Sequence, residues 1–145
     1  MKSNASREMK LQEVKVHVKA KLAALWTSLM FCYIYGDYFG LFQPGHLQSM
    51  LNGQMGPLGQ TTQGVLLGTS MLMAVPSLMI FLSLVMTPTI NRPANVALGV
   101  LYAVIMLISM PGAWTFYMVL GVIEVALCLA IVGYAWRWPR RPVED

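Results

Sequence analysis

The sequence predicts an all-α integral membrane protein, a four-helix bundle with both termini in the cytoplasm. Three observations predict it. The 145 residues are 57% hydrophobic and only 11% charged, less than half of the roughly 25% usual in soluble domains. The charges are also confined. Lys2, Arg7, Lys10, Lys15, Lys19 and Lys21 crowd the start and Arg137, Arg140 and Arg141 the end, while Leu22 to Trp136 holds only Asp37, Arg92 and Glu124. Finally, the interior divides into apolar runs of about 18 residues or more, the length that crosses a bilayer as a helix.

The first element is a basic cytoplasmic juxtamembrane segment, residues 1–21. Val14, Val16 and Val18 alternate with Lys15, His17 and Lys19 as in a strand. Leu11, Val14, Val18, Leu22 and Leu25 also share one helical stripe, so a helix lying on or entering the membrane is preferred. His17 then sits on its solvated, lysine-bearing face. The first span is expected at Leu22 to Phe42; at about 21 residues with no A-x-A-like site after it, it reads as an anchor rather than a cleaved signal. A Gly/Gln/Pro-rich loop, Gln43 to Gln60, leads to the second span, Thr61 to Met86. Pro76 lies in its middle and predicts a kink, with Thr69, Ser70 and Ser77 at hand for the freed backbone groups. A short loop, Thr87 to Arg92, precedes the third span, Pro93 to Met110. A turn at Met110 to Trp114 leads to the fourth span, Thr115 to Trp136, and residues 137–145 form a basic cytoplasmic tail.

Orientation follows from the basic residues. The two tails and the middle loop hold all ten lysines and arginines, so the positive-inside rule puts them in the cytoplasm. Trp26, Trp114, Trp136 and Trp138 fall near the expected interfaces, and Arg92, Trp136 and Arg137 are read as membrane-interface residues. The positive balance is thereby explained by topology and gives no argument for nucleic acid. The partner implied is the lipid bilayer. No phosphate loop, G-x-G-x-x-G or Cys/His metal spacing is present, and nothing names a cofactor. Gly36 with Gly40, and Gly64 with Gly68, form two G-x-x-x-G pairs at matched depth, expected to bring the first two spans close together.

Two carboxylates carry the chemical interest. Asp37 lies about 22 Å from the inner edge, and Glu124 about 18 Å, at 1.5 Å per residue. An ionised, lipid-facing carboxylate at that depth costs about 2.5 kcal/mol or more, so both are expected to point into the bundle. No lysine or arginine lies at their level. They must be satisfied by hydrogen-bond donors, by sharing a proton or by a cation, with Tyr33, Tyr35, Tyr38, Gln63, Tyr102 and Tyr117 as the nearby polar groups. The plain alternative is an interhelical hydrogen bond that holds the bundle. Cys32 and Cys128 read as small packing groups, since no C-x-x-C is present. His46 reads as a solvated loop residue, and the twelve methionines as packing or lipid-facing filler.

Leu25 to Asp37 (LW…YIYGD), Thr61 to Pro76 (TTQGVLLG…P), Asn91 to Gly99 (NRPANVALG) and Ile123 to Pro139 (IEVALCLAIVGYAWRWP) resemble a family of small bacterial membrane proteins, domain-of-unknown-function family 6326. The resemblance runs from the first span to the C-terminus. It implies four helices in a bacterial cytoplasmic (inner) membrane and singles out Asp37, Arg92 and Glu124, but brings no activity. In the family an acidic residue often precedes the proline of the second helix. Here the residues are Ala74-Val75-Pro76, so no role of that acid carries over.

Three functions stay open at this level. One is binding or transport of a cation, proton or small amphipathic ligand at an intramembrane site of Asp37 and Glu124. Four helices are thin for a transporter, so this reading calls for a homodimer. Another is a membrane enzyme or redox accessory acting on a lipid or quinone, with Asp37 and Tyr33 or His46 as its polar groups. The last is a structural or assembly subunit without a ligand.

Overall fold

The structure is a computed structural model, and it describes residues 13–139. Parts of the basic segment (residues 1–12) and of the tail (140–145) lie outside the described residues. The chain is all-α, with five helices and no strand among the described residues: α1 (Val18–Gly40), α2 (His46–Leu51), α3 (Gln63–Val85), α4 (Pro88–Ser109) and α5 (Thr115–Trp136). Of these, α3, α4 and α5 are long and apolar enough to cross a membrane. The C-terminal half of α1 is diluted by Tyr33, Tyr35, Asp37 and Tyr38, although the helix is as long as α3, at 23 residues.

The four long helices run alternately up and down. Lys21 near the start of α1 stands over Tyr134 near the end of α5. At the other end of the same pair, Gly36 approaches Leu120 and Phe39 packs on Phe116. Helix α1 packs between α3 and α5, and α4 packs closely on α5 and also touches α3. The first and last described residues of the helical region therefore lie at one end, here called the basic end, with Lys19, Lys21, Arg92 and Arg137. The opposite, loop end carries residues 41–62 and the turn before α5.

The buried stripes explain this packing. Helix α1 buries Leu22, Trp26, Leu29, Gly36 and Gly40, with half-buried Tyr33 completing a four-three alternation. Helix α5 buries Gly121, Glu124, Cys128, Ile131 and Ala135 in the same rhythm. Apolar seams with this near-heptad spacing keep facing each other along an antiparallel pair. The surface has the reverse polarity of a soluble protein. Phe81, Leu101, Ile108, Val122 and Leu129 are exposed, whereas Ser83, Asn91, Asn95 and Glu124 are buried. Such a surface fits a solvent of lipid.

Boundaries moved in places, each for a local reason. Residues 13–17 are extended rather than helical, and α1 starts at Val18 with His17 as its N-cap, Nδ1 accepting from the Lys19 N–H at 3.3 Å. The expected solvated face of His17 is thus a capping position. The long loop contains α2 and a single 3-10 turn, Gly56–Leu58. Gly45 makes that possible: its φ of 79° is left-handed backbone, which reverses the chain into α2. The expected loop Thr87 to Arg92 is instead the first turn of α4, and only Met86 and Thr87 join α3 to α4. Proline favours the first helical position, and Pro88 takes it, which leaves the expected start, Pro93, inside the helix.

Pro76 lies inside α3 and is fully buried. With no N–H, it leaves the carbonyl four residues earlier, that of Leu72, without its helical donor. The Tyr102 hydroxyl of α4 donates to that carbonyl. Thr69 and Ser77, expected to serve the proline, instead donate within their own helix to the Val65 and Met73 carbonyls.

The glycine contacts also differ from expectation. Gly64 and Gly68 are exposed, and Gly36 faces Leu120 of α5 rather than α3. A β-carbon on Gly40 or Gly68 would meet nothing within 4 Å. The close approach is between α4 and α5. A β-carbon on Gly99 would sit 2.8 Å from Val132 and 3.3 Å from the Cys128 carbonyl, and one on Gly121 2.7 Å from Met106. Neither glycine has a partner four residues away, so the motif reading passed over both.

Candidate acidic site and the buried amide cluster

Glu124 lies on the buried stripe of α5, one turn from Gly121 and one turn from Cys128. It is 3% exposed, and its Oε2 is buried with no hydrogen-bond partner. The close contacts at Gly121 and Gly99 bracket it on the α4 side. Since Gly121 meets Met106, and Gly99 meets Cys128 and Ile131, Glu124 stands level with Tyr102 and Ala103 of α4. On the α1 side, the antiparallel register that puts Gly36 against Leu120 places Cys32 and Tyr33 at the level of Glu124. The Tyr33 and Tyr102 rings lie 6.4 Å apart. One carboxyl, two tyrosines and two free cysteines therefore surround one level of the interior. An unpaired carboxyl oxygen in such surroundings is costly to bury.

The other sequence-chosen residues divide. Asp37 is exposed, against the expectation that it points inward. The reason is where α1 ends. The helix stops at Gly40, so Asp37 belongs to its last turn, about 4.5 Å from the helix end. There it faces the loop end, within Coulomb range of His46, the first residue of α2. An acid in the last turn also opposes the helix dipole. By the α1–α5 register Asp37 stands five to six residues nearer the loop end than Glu124. Tyr38 is exposed and stacks edge-on with Phe39 and Phe42. Gln63 is the exposed first residue of α3. Neither joins Glu124. Tyr102 is buried beside it, but spends its hydroxyl proton on Leu72.

The basic end holds a cluster that sequence reasoning missed. Asn91 and Asn95 of α4 and Ser83 of α3 are each 0% exposed. Asn95 Oδ1 accepts from the Trp26 indole N–H at 2.7 Å and from the Ser83 hydroxyl at 3.3 Å. Its amide nitrogen donates to Asn91 Oδ1 at 2.6 Å and to the Asn91 carbonyl at 2.9 Å. Asn91 Nδ2 in turn donates to the Ser83 carbonyl at 2.6 Å. The cluster ties α1, α3 and α4 together, and it continues to Tyr102, whose ring meets Trp26 edge-on at 5.9 Å. The signal was an Asn pair four apart, but placing Asn91 in a loop hid it. Close by, Arg92 donates to the Trp136 carbonyl at 3.4 Å, and Lys19 to the Leu84 carbonyl at 3.2 Å. Each covers a carbonyl at a helix C-terminus, where positive charge is favoured.

The model of a family of unknown function, DUF6326, matches residues 9–144. No curated protein and no solved structure matches the chain.

Proposed function

Because the chain belongs to family 6326, which brings no activity with it, we propose a function from the site alone: proton or small-cation binding at Glu124 inside a membrane. In this reading α1 is a fourth span beside α3, α4 and α5. The basic end lies in the cytoplasm of a bacterial inner membrane, as the positive-inside rule requires. The observation that carries the reading is the buried, unpartnered Oε2 of Glu124. Among the described residues the other buried polar side chains are satisfied, as the Asn91, Asn95 and Ser83 cluster illustrates. A carboxyl left open at mid-depth is what a reversible proton or cation site needs, and ionisable groups inside membranes serve such pathways by default.

The two acids then have different parts. Asp37, exposed at the loop end, receives the ion from the aqueous side. Glu124, about five to six residues deeper by the α1–α5 register and so about 8 Å further in, holds it. Tyr33 supplies a hydroxyl between the helices. Four helices enclose little space, so the working unit in this reading is a homodimer in the bilayer.

The test is flux. Purified protein in proteoliposomes with an imposed pH gradient should show uncoupler-sensitive proton movement, or cation movement coupled to it. Glu124→Gln keeps the shape and should abolish the flux while leaving the fold. Undiminished flux in that variant would remove Glu124 from the mechanism. Absence of flux in the wild type as well would favour the structural-subunit reading, for which the buried amide cluster is the supporting observation.

A further inference from the structure

At the basic end a groove runs between the start of α4 and the end of α5, lined by Pro88, Thr89, Arg92, Pro93, Val96 and Trp136. Arg92 makes two contacts there. Its guanidinium stands 5.6 Å from the centre of the Trp136 ring, and one N–H donates to the Trp136 carbonyl at 3.4 Å. Five donors are available on a guanidinium, so most are left for another acceptor. Covering one carbonyl at the α5 C-terminus offsets about half a unit charge. The groove therefore keeps a net positive charge. Among the described residues the acids are Glu13, Asp37 and Glu124, and none of them lines it.

The groove opens onto an apolar track. Pro93, Ala97, Val100, Val104 and Ile108 are exposed along one face of α4. From Pro93 to Ile108 they run over 16 residues, or about 22 Å of helix, more than the roughly 15 Å of one hydrocarbon leaflet. A guanidinium, an adjacent Thr89 hydroxyl and an exposed indole thus sit at the head of an apolar stripe longer than a leaflet is deep. Soluble phosphate would use only the guanidinium and the hydroxyl, and neither the indole nor the stripe. Basic pockets between membrane helices on the cytoplasmic side are suited to anionic headgroups.

We propose that this groove is a binding site for one anionic glycerophospholipid, its phosphate on Arg92 and Thr89 and an acyl chain along the α4 track. The site is separate from Glu124 and stands or falls independently of ion binding there. Arg92 does two things at once: it covers the end of α5 and it presents donors to the headgroup. Bound lipid consequently ties α4 to α5 at the basic end.

The experiment uses the full chain in neutral detergent, read by native mass spectrometry and by thermal unfolding. Phosphatidylglycerol, phosphatidylcholine and inorganic phosphate are added separately. Phosphatidylglycerol should remain bound as a single adduct and raise the unfolding temperature, with the other two doing neither. Arg92→Gln should weaken retention about fivefold or more, the worth of one basic residue at a membrane surface. That variant also loses a helix-end contact, so Ala97→Phe provides a second arm: it blocks the track and leaves Arg92 and Trp136 untouched. It should fold normally and lose the lipid. Equal retention of phosphatidylcholine, equal stabilisation by inorganic phosphate, or wild-type phosphatidylglycerol retention in Ala97→Phe would each overturn the assignment.

Discussion

Glu124 and Asn95 are both buried polar residues, yet they stand in opposite situations. Every polar atom of the Asn95 amide is used: its oxygen accepts twice and its nitrogen donates twice. Replacing Asn95 by Leu therefore strands the Trp26 indole N–H and the Asn91 oxygen. The expected cost is about 1–3 kcal/mol, the usual penalty for an orphaned buried group. Thermal unfolding in detergent would show it, and Trp26→Phe added to Asn95→Leu should recover part of the loss. Glu124 strands nothing when changed, because its Oε2 has no partner to abandon. Glu124→Gln should thus unfold within about 1 kcal/mol of the wild type, and its defect should show in flux alone. A large drop in stability would mean that the carboxyl holds the fold together after all.

At the scale of elements, α3 depends on α4 at one point that a hydropathy profile does not reveal. Pro76 deprives the Leu72 carbonyl of its helical donor, and Tyr102 replaces that donor from a neighbouring helix. Tyr102→Phe should cost about 0.6–2 kcal/mol, the range measured for hydrogen bonds between membrane helices. In a Pro76→Ala background the restored Ala N–H serves Leu72, and the same change should become nearly neutral. A double-mutant cycle reads the difference directly, and equal losses in both backgrounds would refute the pairing. The α4–α5 contact makes a second expectation at this scale. Gly99→Leu must force the helices apart, because even its β-carbon would sit 2.8 Å from the branched Val132 and 3.3 Å from the Cys128 backbone carbonyl, whereas Gly121→Leu meets the flexible ends of Met106 and Met110 and should cost less. Gly68→Leu points into open space and should be tolerated. Unfolding temperatures of the three variants should separate accordingly.

For the whole molecule, the reversed polarity and the alternating helices set the expectation for topology. Val18 and Trp136 begin and end the helical region at the basic end. A reporter fused after Asp145 should be active only as a cytoplasmic fusion, and one inserted after Gly53, in the loop between α2 and the 3-10 turn, only as a periplasmic one. Periplasmic activity at Asp145 would exclude α1 as a span or reverse the orientation.

Composition and the placement of charge were enough to read an all-α chain with long apolar helices, because lipid-crossing segments must satisfy their own backbone and so declare themselves by length and hydropathy alone. The ends of α5 were legible for the same reason, with a turn before Thr115 and basic residues after Trp136. The singular position of Glu124 was legible too, since a carboxylate deep in an apolar run is rare enough to stand out. The partners of these groups were not legible. Which proline opens α4, which glycines let two helices touch, and which tyrosine serves Pro76 depend on the rotation of each helix about its axis. In an apolar helix exposed to lipid the sequence marks that rotation weakly, because the inward and outward faces are both hydrophobic. Tertiary packing decided it. It turned Asn91 and Asn95 inward onto Trp26, left Asp37 in the last turn of α1 facing outward, and closed Glu124 in without a partner.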